Sequence, residues 1–242
     1  MKILTFMLSL LFCIQTFAGE QLFLQANSEY ANENYTVAIS LYDSILTKGM
    51  ESSELYYSLG NCYYKTQDWA NAIWYYEKSL QLEKKENTIH NLELTKLKIT
   101  DRIEPLPQLF YKKWGNNLTQ LLSTKTWQTL AILCIWIVVL LRLLNQFTSV
   151  KNKLFLRILY PTVVILLFIT HNSYMHNFIK KEGIIFSSIV IVNSAPTTNS
   201  TDLFSLHSGT KVEIVDKIGE WINIKITNGN RGWIKQNSCK IL

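Results

Sequence analysis

A spacing of 34 residues constrains the fold of this chain more than any other feature of its sequence. Between Ala26 and Leu80, seven residues are followed 34 positions later by the same or a similar residue, without an insertion. The pairs are Asn27 and Asn61, Tyr30 and Tyr64, Tyr35 and Trp69, Ala38 and Ala72, Ile39 and Ile73, Tyr42 and Tyr76, and Leu46 and Leu80. A period of this length with aromatic and small residues in fixed order predicts a repeated pair of packed helices.

The second copy, residues 53–86, resembles the tetratricopeptide repeat, and residues 19–52 form a more divergent first copy. The residues that carry the resemblance have the expected sizes at the expected spacing. They are Tyr56, Leu59, Gly60, Tyr63, Ala72, Tyr76 and Leu80. We expect Gly60 and Ala72 to lie where two helices cross closely, and Asp68 to cap a helix. Two repeats bury little apolar surface, so we predict a capping helix that ends near Ile103 and completes an all-α domain over 19–103.

The resemblance implies a concave groove lined by the first helix of each repeat. When the groove positions of the repeat family are transferred to this chain, they give seven residues that would bind a partner protein. They are Phe23, Asn27, Tyr30, Tyr57, Asn61, Tyr64 and Lys65. Asparagine amides can bond a peptide backbone, and tyrosines offer contact area at low entropic cost. The alternative is that these residues only hold the repeats together.

Residues 1–18 predict a secretory signal peptide. Lys2 precedes an apolar run from Ile3 to Ile14, and Thr16-Phe17-Ala18 has the small residues of a cleavage site. An uncleaved anchor is the alternative, and it would leave the next domain on the same side of the membrane.

Two apolar segments, 127–144 and 155–175, have the length needed to cross a bilayer, which is about 18–20 residues. We predict a two-helix transmembrane hairpin with a loop at 145–154. Buried helices of a soluble domain are the alternative. Residues 104–126 are predicted to be a linker or a helix lying on the membrane surface, with a solvated helix as the alternative.

The net charge of +6 is unevenly distributed. Residues 127–175 contain Arg142, Lys151, Lys153 and Arg157 and no acidic residue. A nucleic-acid-binding protein would concentrate its basic residues on a folded domain, so we predict no nucleic-acid partner. Short basic loops between spans stay in the cytoplasm. With a secreted N-terminus and two crossings, we predict that both terminal domains lie outside the cytoplasm.

Residues 183–242 change to the alternating pattern of β-strands, with a tight turn at Asn228-Gly229. This segment resembles the bacterial Src-homology-3 (SH3) domain, which predicts a small all-β barrel of five or six strands. Matching residues include Val192-Asn193-Ser194-Ala195-Pro196 and Gly232-Trp233-Ile234. Some members of this class bind peptidoglycan. Trp221 and Trp233 could form such a ligand surface or belong to the framework of the barrel.

No motif for catalysis, cofactor binding or metal binding is present in the sequence. The four histidines lie in four unrelated contexts, and Cys62, Cys134 and Cys239 lack the spacing of a metal site or disulfide framework. We therefore predict that the protein is not an enzyme, that it uses no cofactor or metal, and that the cysteines serve packing.

The order of these segments resembles the BatE family of the Bacteroides aerotolerance operon. The most specific matches are Leu55-Tyr56-Tyr57-Ser58-Leu59-Gly60-Asn61, His90-Asn91-Leu92-Glu93-Leu94 and Asp101-Arg102-Ile103-Glu104-Pro105-Leu106-Pro107. The resemblance implies partners among von Willebrand factor A membrane proteins, linked to a MoxR-type ATPase, and a role in oxidative-stress tolerance or envelope assembly. It also implies a location in the bacterial inner membrane, with both terminal domains in the periplasm and the short basic loop in the cytoplasm.

Two functions follow as hypotheses. In the first, the protein is a non-catalytic membrane scaffold whose periplasmic repeats bind partner proteins. In the second, the barrel binds peptidoglycan and the repeats act as a spacer. A hidden enzymatic activity is a third possibility, without a supporting motif.

Overall fold

The computed structural model describes residues 19–104, 106–107, 110, 115, 118–119, 121–147, 153–175 and 181–242. The predicted signal peptide, ten residues of the predicted linker at 104–126 and the centre of the basic loop lie outside these residues. The described residues up to 104, together with Glu182–Leu242, form one compact unit. Those within Leu106–Lys181 form a second unit.

Five helices make up the N-terminal part of the first unit, called the repeat domain here (residues 19–103). They are α1 (19–31), α2 (Tyr35–Thr47), α3 (Ser53–Lys65), α4 (Trp69–Leu82) and α5 (Glu86–Lys96). Helices α1 and α2 form the first repeat, and α3 and α4 form the second. Helix α5 packs against α3 and α4. It is shorter than the predicted capping helix over 88–103, because it ends at Lys96 and residues 97–100 form turns and bends. The prediction of an all-α repeat region is confirmed.

The helices of the second repeat begin and cross as their sequence predicts. The Ser52 side chain accepts a hydrogen bond from Leu55 N–H, and Asp68 accepts one from Asn71 N–H, so both helices have side-chain N-caps. A Cβ atom on Gly60 would lie 2.5 Å from the Tyr76 ring. Only glycine therefore permits α3 and α4 to approach this closely.

The turns between paired helices share a strained residue. Glu33 and Gln67, 34 positions apart, have φ values of 64° and 62°. This left-handed conformation costs a non-glycine residue roughly 1–2 kcal/mol. Each repeat keeps the turn geometry of its family without the glycine that favours it.

Seven strands form the C-terminal part of the first unit, called the β-domain here (residues 181–242). They are β1 (Lys181–Ile185), β2 (Ile189–Asn193), β3 (Asp202–His207), β4 (Lys211–Ile218), β5 (Trp221–Lys225), β6 (Arg231–Lys235) and β7 (Cys239–Ile241). Their order in the sheet is β3-β2-β6-β5-β4-β1-β7. The small all-β domain is confirmed.

The number of strands differs from the prediction of five or six. Strand β7 has only three residues, and it pairs with β1 through Gly183 and Ile241 at the edge of the sheet. Such a short strand shows no alternating pattern in the sequence. The β-domain core contains the alternate residues Ile222, Ile224 and Ile234, all of which are at most 1% exposed.

The repeat domain and the β-domain share an apolar cluster. Ile184 of β1 belongs to the same buried cluster as Ile73 and Tyr76 of α4, and Phe186 and Leu242 pack against it. Trp74 of α4 donates a hydrogen bond from Nε1 to the carbonyl oxygen of Ile241, at 3.1 Å. The β-domain therefore supplies apolar surface that two repeats and one capping helix lack.

The second unit contains two antiparallel helices, α6 (Thr124–Phe147) and α7 (Lys153–Tyr174). The hydroxyls of Thr124 and Ser173 are hydrogen-bonded at 2.8 Å, and Arg142 Nε donates to the Tyr160 hydroxyl at 2.6 Å. Both helices are long and apolar enough to cross a bilayer, and only 11% of the most apolar stretch of each is buried. The core helix of a soluble protein would be mostly buried, so this exposure favours membrane-spanning helices.

Candidate functional site

The seven predicted groove residues lie on two neighbouring first helices. Phe23, Asn27 and Tyr30 belong to α1, and the remaining four belong to α3. Asn27 and Lys65 are exposed, whereas the aromatic residues and Asn61 are half-buried. In the described part of the chain, none of the seven bonds to the β-domain through a hydrogen bond or ion pair.

The two asparagines have the same bonding partner in each repeat. The Tyr42 hydroxyl donates to Asn27 Oδ1 at 2.6 Å, and the Tyr76 hydroxyl donates to Asn61 Oδ1 at 2.7 Å. Each asparagine oxygen is thus occupied by the second helix of its own repeat. The amide Nδ2 groups of Asn27 and Asn61 have no acceptor among the described residues, so both remain available as hydrogen-bond donors.

Helix α5 adds a residue to this row that the sequence analysis did not select. Asn91 donates from Nδ2 to Asn61 Oδ1 at 2.9 Å and to the Tyr57 hydroxyl at 3.1 Å. Asn91 follows Tyr57 by 34 positions and Phe23 by twice that spacing. Extending the 34-residue register by one further copy would have identified it. Helix α5 therefore occupies the place of a third first helix.

Aromatic contacts repeat with the same period and hold the groove side chains in place. The four contacts are Phe23 with Tyr42, Tyr57 with Tyr76, Tyr30 with Tyr35, and Tyr64 with Trp69, with ring centroids 5.4 to 6.0 Å apart. Burial raises the pKa of Tyr30, and it raises the pKa of Tyr42 to about 12. These hydroxyls therefore stay protonated at neutral pH, and that of Tyr42 donates to Asn27 Oδ1.

The two tryptophans of the β-domain lie on the sheet face opposite its core. Asn223 pairs with Trp233 across β5 and β6, and Trp221 is two residues before Asn223 on the same face. Trp221 and Trp233 are therefore diagonal neighbours, and both are half-buried. Each indole is therefore partly accessible to solvent.

The described residues contain no group of three or more histidine, cysteine or acidic side chains that could hold a metal ion. Cys62 and Cys239 are buried, and Cys134 is half-buried. Burial raises the pKa of the Cys62 and Cys239 thiols to about 12, which makes them poor nucleophiles. Their surroundings agree with packing roles.

Comparison with protein-family models identifies two domains. Residues 53–86 match the tetratricopeptide repeat, and residues 190–238 match the bacterial SH3 domain. No curated protein matches the chain. Both matched domain types are typically non-catalytic interaction modules. The first match covers α3 and α4 and includes four of the predicted groove residues, and the second match includes Trp221 and Trp233. The chain therefore contains a tetratricopeptide repeat and a bacterial SH3 domain within one compact unit.

Proposed function

We propose that this protein is a non-catalytic, membrane-anchored scaffold whose repeat domain binds a partner protein in the groove. The repeated tyrosine–asparagine hydrogen bond carries this proposal. It occupies the side-chain oxygens of Asn27 and Asn61, at the same position of the two first helices, and leaves their Nδ2 donors unbonded within the described residues. Backbone carbonyl groups of an extended peptide are the acceptors that such donors fit. The tyrosines and Lys65 beside them would add contact area and charge.

Partner binding by the groove can be tested with variants that keep the tyrosine–asparagine hydrogen bonds within each repeat. Asn27→Asp and Asn61→Asp keep an oxygen that accepts from Tyr42 or Tyr76, but they remove the amide donors. We expect the double variant to remain folded and to lose partner recovery in co-purification from detergent. Asn199→Asp makes the same chemical change in an exposed loop of the β-domain and is the matched control. Unchanged recovery with a folded double variant would reject the groove.

We propose that α6 and α7 anchor the protein in the bacterial inner membrane with both terminal domains in the periplasm. Three features support this topology: the signal-like N-terminus, the two exposed apolar helices and the basic loop between them. A reporter enzyme fused after Leu242 should be active only if it is a periplasmic type. Activity of a cytoplasmic reporter at that position would reject the topology.

The resemblance to the BatE family supports a more specific proposal about partners. They would include von Willebrand factor A membrane proteins and, through them, a MoxR-type ATPase, in a complex for oxidative-stress tolerance or envelope assembly. Crosslinking in intact cells followed by mass spectrometry tests this proposal. Recovery of unrelated envelope proteins alone would reject it.

A second candidate function is peptidoglycan binding by the β-domain. The bacterial SH3 match and the position of Trp221 and Trp233 away from the core support it. Sedimentation of the full chain in detergent with purified peptidoglycan is the test. We expect Trp233→Ala to reduce the sedimented fraction, with the exposed Lys217→Ala as control. No sedimentation above background for the unmodified chain would reject this function.

A further inference from the structure

Two exposed arginines lie side by side near one end of the helix hairpin. Arg142 Nε donates to the Tyr160 hydroxyl at 2.6 Å, and its guanidinium carbon lies 5.6 Å from the centre of that ring. Arg157 precedes Tyr160 by three residues, so the two share a face of α7. Both arginines are exposed. Arg142 and Arg157 therefore lie on the same side of the hairpin, each beside Tyr160.

The register of the hairpin places the two arginines at the same level. The bond between Thr124 and Ser173 fixes one end of the hairpin, and the bond from Arg142 to Tyr160 fixes the other. The part of α7 opposite Arg142 is therefore within 155–160, which includes the second arginine. Packed helix axes are about 8–10 Å apart. Two arginine side chains on neighbouring helices at this separation can reach a single anion between them.

The second unit has no carboxylate side chain that could neutralise this pair. Between Glu104 and Glu182 the sequence has nine basic residues and no acidic one. Two neighbouring guanidinium groups repel each other, and the repulsion is stronger where the dielectric constant is low. The anion that compensates Arg142 and Arg157 therefore comes from outside this unit.

The depth of the pair indicates which anion is available. Arg142 is four residues before the end of the apolar span Thr124–Gln146, and Arg157 is two residues after the start of the span Phe155–Tyr174. At 1.5 Å per residue, these positions are about 6 and 3 Å inside the ends of the spans. The spans match the roughly 30 Å hydrocarbon core of a bilayer, so both guanidinium groups reach the boundary where phospholipid phosphates lie.

Exposed apolar side chains border both arginines. Leu143 and Leu144 follow Arg142, and Ile158 follows Arg157, with exposed fractions between 44% and 60%. A cationic pair bordered by exposed apolar residues fits a ligand that has an anionic head and hydrocarbon chains.

We propose that Arg142 and Arg157 bind the phosphate of an anionic phospholipid, with Tyr160 holding Arg142 in position. Planar guanidinium groups offer paired N–H donors to phosphate oxygens, and the acyl chains lie along the apolar residues beside them. The site requires the proposed anchoring by α6 and α7, but it depends neither on the groove nor on the side of the membrane to which the loop belongs. The hairpin therefore selects a lipid in addition to anchoring the chain.

Native mass spectrometry of the full chain in detergent tests the proposal. The probes are phosphatidylglycerol, whose headgroup is anionic, and phosphatidylcholine with the same acyl chains, whose phosphate is neutralised by its own choline. The fraction of protein with one bound lipid is measured against lipid concentration. We expect phosphatidylglycerol to bind about tenfold more tightly. Equal binding of the two lipids would overturn the proposal and would leave the arginines for an acidic residue of another membrane helix.

Variants assign the roles of the side chains. Arg142→Gln and Arg157→Gln should each weaken phosphatidylglycerol binding about tenfold. Lys125→Gln removes the same charge from an exposed position at the opposite end of α6 and should leave binding unchanged. An equal loss in Lys125→Gln would indicate diffuse attraction and overturn the site. Tyr160→Phe should weaken binding only while Arg142 is present, and a further loss in the Arg142→Gln background would contradict the positioning role of the tyrosine.

Carbonate extraction of cell membranes separates this proposal from the proposed anchoring. Release of the unmodified chain would reject the anchor, and the lipid site with it. Retention in the membrane without a preference for phosphatidylglycerol would reject the lipid site alone. Arg142→Gln and Arg157→Gln should remain in the membrane fraction, because both variants leave the apolar spans intact.

Discussion

The carboxylate of Asp101 accepts hydrogen bonds from the backbone N–H and the Nδ1 of His207, at 2.6 and 2.7 Å. Thr210 Oγ1 donates a third, at 2.7 Å. Asp101 follows the last helix of the repeat domain, whereas the donors belong to the β-domain. Burial by itself would raise the pKa of Asp101, but the hydrogen bonds from His207 and Thr210 hold it below its ordinary value. The Asp101 carboxylate therefore links the repeat domain to the β-domain through three hydrogen bonds.

Replacing Asp101 with alanine should lower the free energy of unfolding by about 2–3 kcal/mol, because three donors lose a charged acceptor. The lowered pKa means that this stabilisation is present above the ordinary value of 3.8 and is lost as the pH falls through the folded value. Denaturant unfolding of both forms at several pH values measures it. The difference in unfolding free energy between the unmodified protein and Asp101→Ala should become smaller at acidic pH. Asp202→Ala, at an exposed carboxylate, is the control, and an equal effect there would contradict the prediction.

Lys211 lies between two carboxylates, with Nζ 2.9 Å from Glu77 and 2.7 Å from Glu182. Burial would lower the pKa of Lys211, but the two carboxylates raise it above its ordinary value of 10.5. The stabilisation of the folded state by this ion pair is therefore fully present below pH 10.5 and is lost as the pH rises through the pKa of the folded state. Lys211→Met should cost about 2 kcal/mol, since two neighbouring carboxylates lose their shared cation. Lys225→Met breaks a more exposed pair with Glu213 and should cost less than about 1 kcal/mol. Thermal unfolding of the two variants measures both losses of stability. Equal losses in Lys211→Met and Lys225→Met would contradict the prediction.

Gly60→Ala should destabilise the repeat domain by about 1–3 kcal/mol, although alanine normally favours a helix. The added Cβ would meet the Tyr76 ring and push α3 away from α4. Helicity measured during thermal unfolding checks this prediction. Gly115→Ala has no atom within 4 Å of its new Cβ and serves as the control. A more stable Gly60→Ala protein would show that the close crossing is wrong.

Gln67→Gly should stabilise the protein by about 0.5–1 kcal/mol, because the left-handed conformation at φ 62° is free of strain for glycine. Thr66→Gly, one residue earlier at φ −83°, should destabilise it by a similar amount. The midpoints of denaturant unfolding give both values. Shifts of the same sign would contradict the assigned turn geometry.

Native cysteines of the first unit should resist labelling by a polar maleimide until the protein unfolds, because Cys62 and Cys239 are 0% and 8% exposed. Asn199→Cys places a thiol in an exposed loop of the β-domain and should react in the folded protein. In intact spheroplasts, the proposed topology requires labelling at Asn199→Cys and none at Asn152→Cys in the predicted cytoplasmic loop. The reverse pattern would exclude that topology.

The repeat geometry was predictable because its contacts are local and periodic. Tyr42 and Asn27 are 15 residues apart, and so are Tyr76 and Asn61, so the pairing lies within one 34-residue unit. The small size of Gly60 and the cap at Asp68 are likewise short-range requirements of two crossing helices. Asn91 was missed because α5 was considered only as a cap and its register was not extended.

The repeat, the two apolar helices and the all-β segment could be predicted from the sequence alone, since helical and strand periodicity depend on neighbouring residues. The packing of the β-domain against the repeat domain could be recognised only in the folded molecule. Asp101 and His207 are 106 residues apart, and Trp74 and Ile241 are 167 apart. No periodic pattern connects such positions, because their contact depends on the shapes of two already folded surfaces.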